Sequence, residues 1–130
     1  VIKLDRIQLI DLAYETVDEI KKSELYQSYL VASNDYNTAD ILPLIDKFNE
    51  TKKSFEEISR YGRYHPGYVQ AKTNYTEAKT LLFQTEAYQK YQDALLKLNL
   101  YLHDISREIT AIINECLVSS NQTHSCHTKG

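Results

Sequence analysis

The chain has 130 residues, of which 42% are hydrophobic and 25% charged, the length and composition of one ordinary soluble domain. Three glycines and two prolines are too few for the turns of an all-β protein, so helix is the expected element. The formal net charge of −3 argues against general binding to a phosphate backbone, which requires a concentrated basic surface.

Apolar residues at helical spacing predict a first helix whose stripe consists of Ile7, Ile10, Tyr14, Val17 and Ile20. The stripe fades at two lysines, 21 and 22, which lie where the helix dipole favours cations. Ser23 is expected to cap a second helix, which ends in the polar run 33–38.

The third helix is expected to begin at Asp40, whose side chain can cap it. Pro43 then falls in the first helical turn, where its missing N–H costs nothing. The helix continues to residue 58, and its predicted buried face consists of Ile41, Leu44, Ile45, Phe48, Phe55 and Ile58.

Residues 59–68, called the hinge from here on, contain both internal glycines and one of the two prolines. Gly62 is expected to take a positive φ and end the third helix, and Pro66 to lie in the first turn of the next. The hinge also carries more recognition-type side chains than a connector requires. The candidate partner-binding residues are Arg60, Tyr61, Arg63, Tyr64, His65 and Pro66.

A shorter helix follows, with the stripe Ala71, Tyr75, Ala78 and Leu82. The last helix, over 86–115, has apolar residues in steps of 3 and 4, the seam of a coiled coil: Tyr88, Tyr91, Leu95, Leu98, Leu102, Ile105, Ile109 and Ile112. The short helices of this chain cannot cover so long a seam, so we expect chains to share it. The sequence thus predicts an oligomeric all-α protein of about five helices, with long antiparallel hairpins.

Two helix starts have the same pattern, Ser/Thr-Glu-x-Tyr-Gln-x-Tyr, at residues 23–29 and 85–91. In each, a hydroxyl precedes the helix and two tyrosines follow on one face. Either both starts obey the same capping rule, or the pattern is the trace of an internal duplication.

The hinge sequence 60–66, placed between amphipathic helices of a short chain, resembles that of the YlbF/YmcA family of small helical bacterial regulators, most closely the YlbF member. The likeness extends over about residues 7–114 and includes the stretch 98–113, similar to the family's final helix. The resemblance implies a regulatory subunit, not an enzyme, that acts with YmcA-like and YaaT-like proteins. It also implies an indirect link to RNase Y, to messenger RNA processing, and to competence, sporulation and biofilm formation.

Two cysteines, Cys116 and Cys126, lie near the C-terminus, and three potential metal ligands stand together in His124-Ser-Cys126-His127. A zinc site in this chain alone would need a second spaced cluster. The family resemblance implies a [4Fe–4S] cluster shared among the subunits of the complex, with Cys126 as the candidate ligand. Cys116 is the poorer candidate, because its helical position also fits a packed thiol. The YlbF tail has several cysteines, whereas this one has a single cysteine flanked by histidines.

The sequence predicts one helical domain over residues 1–117 and a flexible polar tail over 118–130. With no export signal or apolar span, the expected location is the cytoplasm. No nucleophile is placed near His65 or His103, so no catalytic residue is predicted; a small hydrolase using either histidine is the enzyme alternative. The hinge could bind a partner protein, stack on single-stranded RNA or only hold the helices together, and direct nucleic-acid binding is the least expected of these. The main functional alternative is a metal-free coiled-coil adaptor or self-assembling scaffold.

Overall fold

The computed structural model describes the backbone of residues 5–125 and the side chains of residues 5–115. No strand occurs in this part of the chain, which confirms the predicted all-α class with five helices. They are α1 (Arg6–Lys22), α2 (Glu24–Tyr36), α3 (Leu42–Ser59), α4 (Tyr68–Phe83) and α5 (Glu86–Ser125). The described residues form two compact units that divide between Leu95 and Leu96, so α5 contributes to both.

The two helix starts with the same sequence pattern also have the same local structure. The Ser23 hydroxyl accepts a hydrogen bond from the Tyr26 N–H at 3.2 Å and donates one to the Ile20 carbonyl at 2.6 Å. Thr85 makes the same pair of bonds, with the N–H three residues ahead at 3.2 Å and the carbonyl three residues back at 2.7 Å. The capping predicted for both helices is confirmed, and each hydroxyl joins the end of one helix to the start of the next.

Helices α3 and α4 pack against each other, and the stripe predicted for α4 lies at their contact. Ala71, Ala78 and Leu82 are buried, and Leu82 is only 1% exposed. The six residues predicted for the covered face of α3 are all half-buried. Thr51 is the buried residue of that helix, and its hydroxyl donates to the Lys47 carbonyl at 2.8 Å. The hydroxyl is therefore satisfied within the helix, which lets the rest of the side chain pack as a small apolar group.

Ten aromatic rings form a continuous series of contacts through the first compact unit, with neighbouring centroids 4.2 to 6.4 Å apart. Tilted and stacked pairs of this kind each contribute about 0.5–1.5 kcal/mol beyond the area they bury. The series links α2 to the start of α5, then to α4 and α3, in the order Tyr26, Tyr29, Tyr91, Tyr36, Tyr88, Phe83, Phe48, Tyr75, Phe55 and Tyr68. Tyrosine, the main aromatic residue of this chain, thus supplies much of the packing between helices.

Burial within this series also changes the acidity of three tyrosines. It is the main cause that raises the pKa of Tyr36, Tyr88 and Tyr91 above the usual value, because a phenolate loses hydration there. The hydroxyl groups of these three residues therefore remain neutral to a pH above the usual pKa of tyrosine.

The expected cap at Asp40 is wrong. Helix α3 begins at Leu42 after Ile41, and no side chain caps it. A cap at Asp40 would accept from the N–H groups two and three residues ahead. The Leu42 N–H already donates to the Thr38 carbonyl at 3.0 Å, and Pro43 has no N–H. Pro43 does lie in the first turn, as predicted.

Helix α2 ends at Tyr36, inside the polar run 33–38 in which it was predicted to end. Helix α5 extends to Ser125, beyond its predicted end at 115. The extension contains no glycine or proline, so a polar composition alone does not stop the helix. Residues 118–125 of the predicted tail are accordingly helical, while the domain boundary at 117 stays a prediction.

Candidate interaction surfaces

The hinge backbone consists of consecutive hydrogen-bonded turns. The Gly62 N–H donates to the Ser59 carbonyl at 3.1 Å, and the Gly62 carbonyl accepts from the His65 N–H at 3.2 Å. Gly62 has a φ of 90°, which confirms the predicted left-handed helix stop. These bonds leave the hinge residues on the surface in a defined conformation.

The prediction that Pro66 lies in the first turn of the next helix is wrong. Helix α4 begins at Tyr68, and Gly67 is the residue before it. The Tyr68 N–H donates to the His65 carbonyl at 2.9 Å, which closes a four-residue turn in which Pro66 holds the second position. A proline's fixed φ suits that position as well as it suits a helix start.

The candidate partner-binding side chains of the hinge are all exposed. Tyr64 is fully exposed and Tyr61 is 77% exposed, although large aromatic side chains usually bury most of their area. Arg60 and Arg63 are exposed as well, and neither forms an ion pair with a described residue. The structure therefore presents two aromatic rings and two guanidinium groups to solvent from one short segment.

His65 is fixed by two contacts within the hinge. Its Nδ1 accepts a hydrogen bond from the Gly67 N–H at 3.1 Å, so the proton of the neutral ring lies on Nε2. Its ring lies 5.7 Å from that of Tyr61, centroid to centroid. The exposed Tyr61 ring therefore has a neighbour that restricts its orientation.

Sequence analysis missed Val69, the first residue after the hinge. It is the second residue of α4 and is 72% exposed. The available signal was its position off the buried stripe, which begins at Ala71. Val69 adds one exposed apolar side chain at the start of α4.

The predicted α5 seam is covered at its start and exposed farther along. Leu98 is 6% exposed, Leu102 37%, Ile109 47% and Ile112 61%. Ile105 is half-buried and so departs from this rise in exposure, but the two seam residues after it are more exposed than Leu102. The described residues thus leave the later part of the seam open, as a helix that pairs with another chain requires.

Helix α1 has no buried residue, so the stripe predicted for it is present in sequence but is not covered. Four of the five stripe residues are 44% to 70% exposed, with Val17 the least and Ile7 the most exposed, and Ile20 is half-buried. The apolar stripe of α1 is therefore mostly open to solvent within the described residues. None of the helices within 5–125 combines the length and apolar character needed to cross a membrane.

Residues 9–114 match the family model described as control of competence regulator ComK, YlbF/YmcA. The chain belongs to the YlbF/YmcA family. Its fold is similar to that of a Bacillus subtilis chain in the X-ray crystal structure of RicA in complex with RicF, with a TM-score of 0.79 over 87% of this chain and 99% of that chain. The sequence identity is 23%, so this likeness shows the fold. No curated protein matches the chain in sequence.

The cysteine content of the chain bears on the iron–sulfur cluster that the resemblance to the YlbF/YmcA family implies. Cys126 lies outside the described residues, and Cys116 lies in α5 beyond the described side chains. A [4Fe–4S] cluster takes four cysteine ligands, and this chain has two cysteines, so the chain does not fit the cluster by itself. No group of three metal-binding side chains occurs among the described residues. Ligation shared with other subunits stays a prediction.

Proposed function

We propose that the chain is a non-enzymatic adaptor of the YlbF type, acting in the cytoplasm in a complex with YmcA-like and YaaT-like proteins. Its family is described by control of the competence regulator ComK, and the similar fold comes from a structure of RicA in complex with RicF. The observation that carries the proposal is the exposed hinge, where Tyr61, Tyr64 and two arginines lie on a fixed backbone. Tyrosine and arginine are typical anchors of protein interfaces.

The hinge backbone is already ordered in the free chain, which favours binding of a partner protein. Its turns are already closed by backbone hydrogen bonds, so a partner would not have to order the loop on association. Arg60 and Arg63 keep their donors free of ion pairs with described residues, which favours an acidic or carbonyl-rich partner surface. RNA binding would use the same side chains, but the net charge of −3 opposes it.

Within such a complex the chain would modulate messenger RNA processing by RNase Y, without contacting RNA itself. Competence, biofilm formation and sporulation would respond through the transcripts whose processing changes. The described family function, control of ComK, supports the competence branch of this proposal.

A metal-free coiled-coil adaptor or self-assembling scaffold is the second candidate. The exposed seam of α5 favours it, because Ile109 and Ile112 continue an apolar heptad with no cover among the described residues. This candidate predicts assembly of the purified chain alone, with no dependence on the hinge.

Binding to purified YmcA-like and YaaT-like proteins from the same host, measured by calorimetry, tests the proposal. Replacing Arg60 and Arg63 by alanine should weaken binding at least about tenfold. The control replaces Lys52 and Lys53 by alanine, which removes the same charge from an exposed part of α3 and should leave the affinity unchanged. Equal affinities for all three chains would exclude the hinge as the contact, and no binding by the unchanged chain would overturn the proposed complex.

The shared iron–sulfur cluster has its own test. The complex assembled without oxygen should contain iron and absorb visible light, and Cys126→Ser should lower the iron content while Cys116→Ser should not. Iron content in Cys126→Ser equal to that of the unchanged chain would remove Cys126 as a ligand. Protein assembly is measured in the same samples, so loss of iron is distinguished from loss of the complex.

A further inference from the structure

The second half of the hinge, residues 65–68, is a turn with the backbone geometry of type I. The Tyr68 N–H donates to the His65 carbonyl at 2.9 Å, and Pro66 holds the second position. Gly67, in the third position, has a φ of −86° and a ψ of −4°. The ideal values for that position are about −90° and 0°. His65 therefore occupies the first position of a type I turn.

The His65 side chain makes the bond that is typical of this first position. Aspartate, asparagine and serine are favoured there, because their side-chain oxygens accept a hydrogen bond from the N–H two residues ahead. His65 does the same with its ring, since Nδ1 accepts from the Gly67 N–H at 3.1 Å. The Gly67 N–H has no other acceptor among the described residues. The ring nitrogen thus takes the place of an oxygen acceptor.

A ring nitrogen differs from an amide or hydroxyl oxygen in its response to pH. Histidine is the side chain whose charge ordinarily changes between about pH 5 and 8. A proton taken from solvent binds the Nδ1 lone pair, after which both ring nitrogens are donors and the Gly67 N–H can donate only to water. The added charge also lies against Gly67, the residue before α4, where the helix dipole disfavours a cation. Both effects oppose the closed ring contact.

The groups around His65 do not neutralise this charge. The ring is exposed, and no ion pair joins it to a described carboxylate. The titratable side chain in contact with the ring is Tyr61, at 5.7 Å between centroids. The charged residues closest in sequence are exposed and form no ion pair with described residues; they are Arg60 and Arg63 in the hinge, Glu57 in the last turn of α3 and Lys72 in the second turn of α4.

We propose that the turn 65–68 is a proton-sensitive element of the hinge. With His65 neutral, the ring is held on the Gly67 N–H; with His65 protonated, this bond opens. Opening releases the ring that restricts Tyr61 and adds a positive charge to those of Arg60 and Arg63. The backbone bond from the Tyr68 N–H does not use the ring, so the turn itself is kept. The proposal concerns the free chain and does not depend on the proposed function.

Exchange of the Gly67 amide hydrogen with water, measured by NMR on the full chain, tests the proposal. His65→Asn keeps an acceptor for this N–H but does not titrate, whereas His65→Ala has no acceptor at any pH. The rates in these two variants should differ by about twofold to tenfold, the range expected for one hydrogen bond. At matched pH, the rate in the unchanged chain should equal that of His65→Asn at about pH 8 and that of His65→Ala at about pH 5.

A control variant removes the other histidine among the described side chains, His103. The exchange change in the unchanged chain should have the same midpoint as the ring protons of His65, and His103→Gln should not move it. Circular dichroism checks that every variant keeps its helices. The proposal would be overturned by equal rates in His65→Asn and His65→Ala, or by an unchanged chain that follows the same variant at both pH values. A midpoint that differs from that of the His65 ring would also overturn it.

Discussion

Replacing Leu82 by alanine should be the most damaging single truncation in the contact between α3 and α4. Leu82 is 1% exposed, so truncation removes almost fully buried atoms and leaves a cavity under the α4 stripe. Leucine-to-alanine changes at such sites cost about 2–5 kcal/mol. We expect a loss of about 3 kcal/mol in the free energy of unfolding and a fall in Tm of about 10 °C for a domain of this size.

The neighbouring Leu81 provides the matched control, because it lies in the same helix and is 58% exposed. Alanine there removes the same atoms from a mostly hydrated site and should cost about 1 kcal/mol or less. Urea unfolding at one protein concentration, followed by circular dichroism, compares the two variants. Equal losses would refute the assignment of the packed face of α4.

Three further changes test other parts of the fold. Alanine at Gly62, where φ is 90°, should cost about 1–2 kcal/mol, and alanine at Gly67, where φ is −86°, clearly less. Urea melts that show equal losses would contradict the strain argument. Alanine at Ser23 or at Thr85 should lower the free energy of unfolding by about 1 kcal/mol, because a helix cap is lost. The control Thr76→Ala, within α4, should lower it less. Equal losses in all three variants would contradict the role of the caps. The raised pKa values of Tyr36, Tyr88 and Tyr91 predict stability that is complete below the unfolded value of 10.0 and is lost as pH rises through the folded values. Tyrosinate absorbance of the folded chain should then show a late-titrating group, and one transition for all eleven tyrosines would contradict this.

Apolar spacing predicted the helices well where a face is buried. The α4 stripe and the start of the α5 seam are covered as expected, because burial selects apolar residues at the helical period. The same signal could not show that α1 is uncovered, since a stripe has the same spacing whether its cover comes from this chain or another. The end of α5 was missed because residues 116–125 contain no glycine or proline, and nothing in a polar run forbids the helix from continuing.

The hinge could be recognised from Gly62 and its recognition-type side chains, but its exposure could not. Whether Tyr61 and Tyr64 are buried depends on how the turns close, and that is set by bonds such as His65 N–H to the Gly62 carbonyl. Val69 was missed because it follows the hinge and lies off the helical stripe. The ten-ring aromatic series was also beyond sequence analysis, because it joins residues of four helices.

Affinity capture of the tagged chain from its own host, without oxygen and with mass-spectrometric identification, tests the central claim most directly. Our account predicts that YmcA-like and YaaT-like proteins are recovered with the unchanged chain and with the control altered at Lys52 and Lys53, but are depleted when Arg60 and Arg63 are alanine. Recovery of the chain without these proteins, in all three samples, would contradict the claim that it acts as an adaptor of this complex.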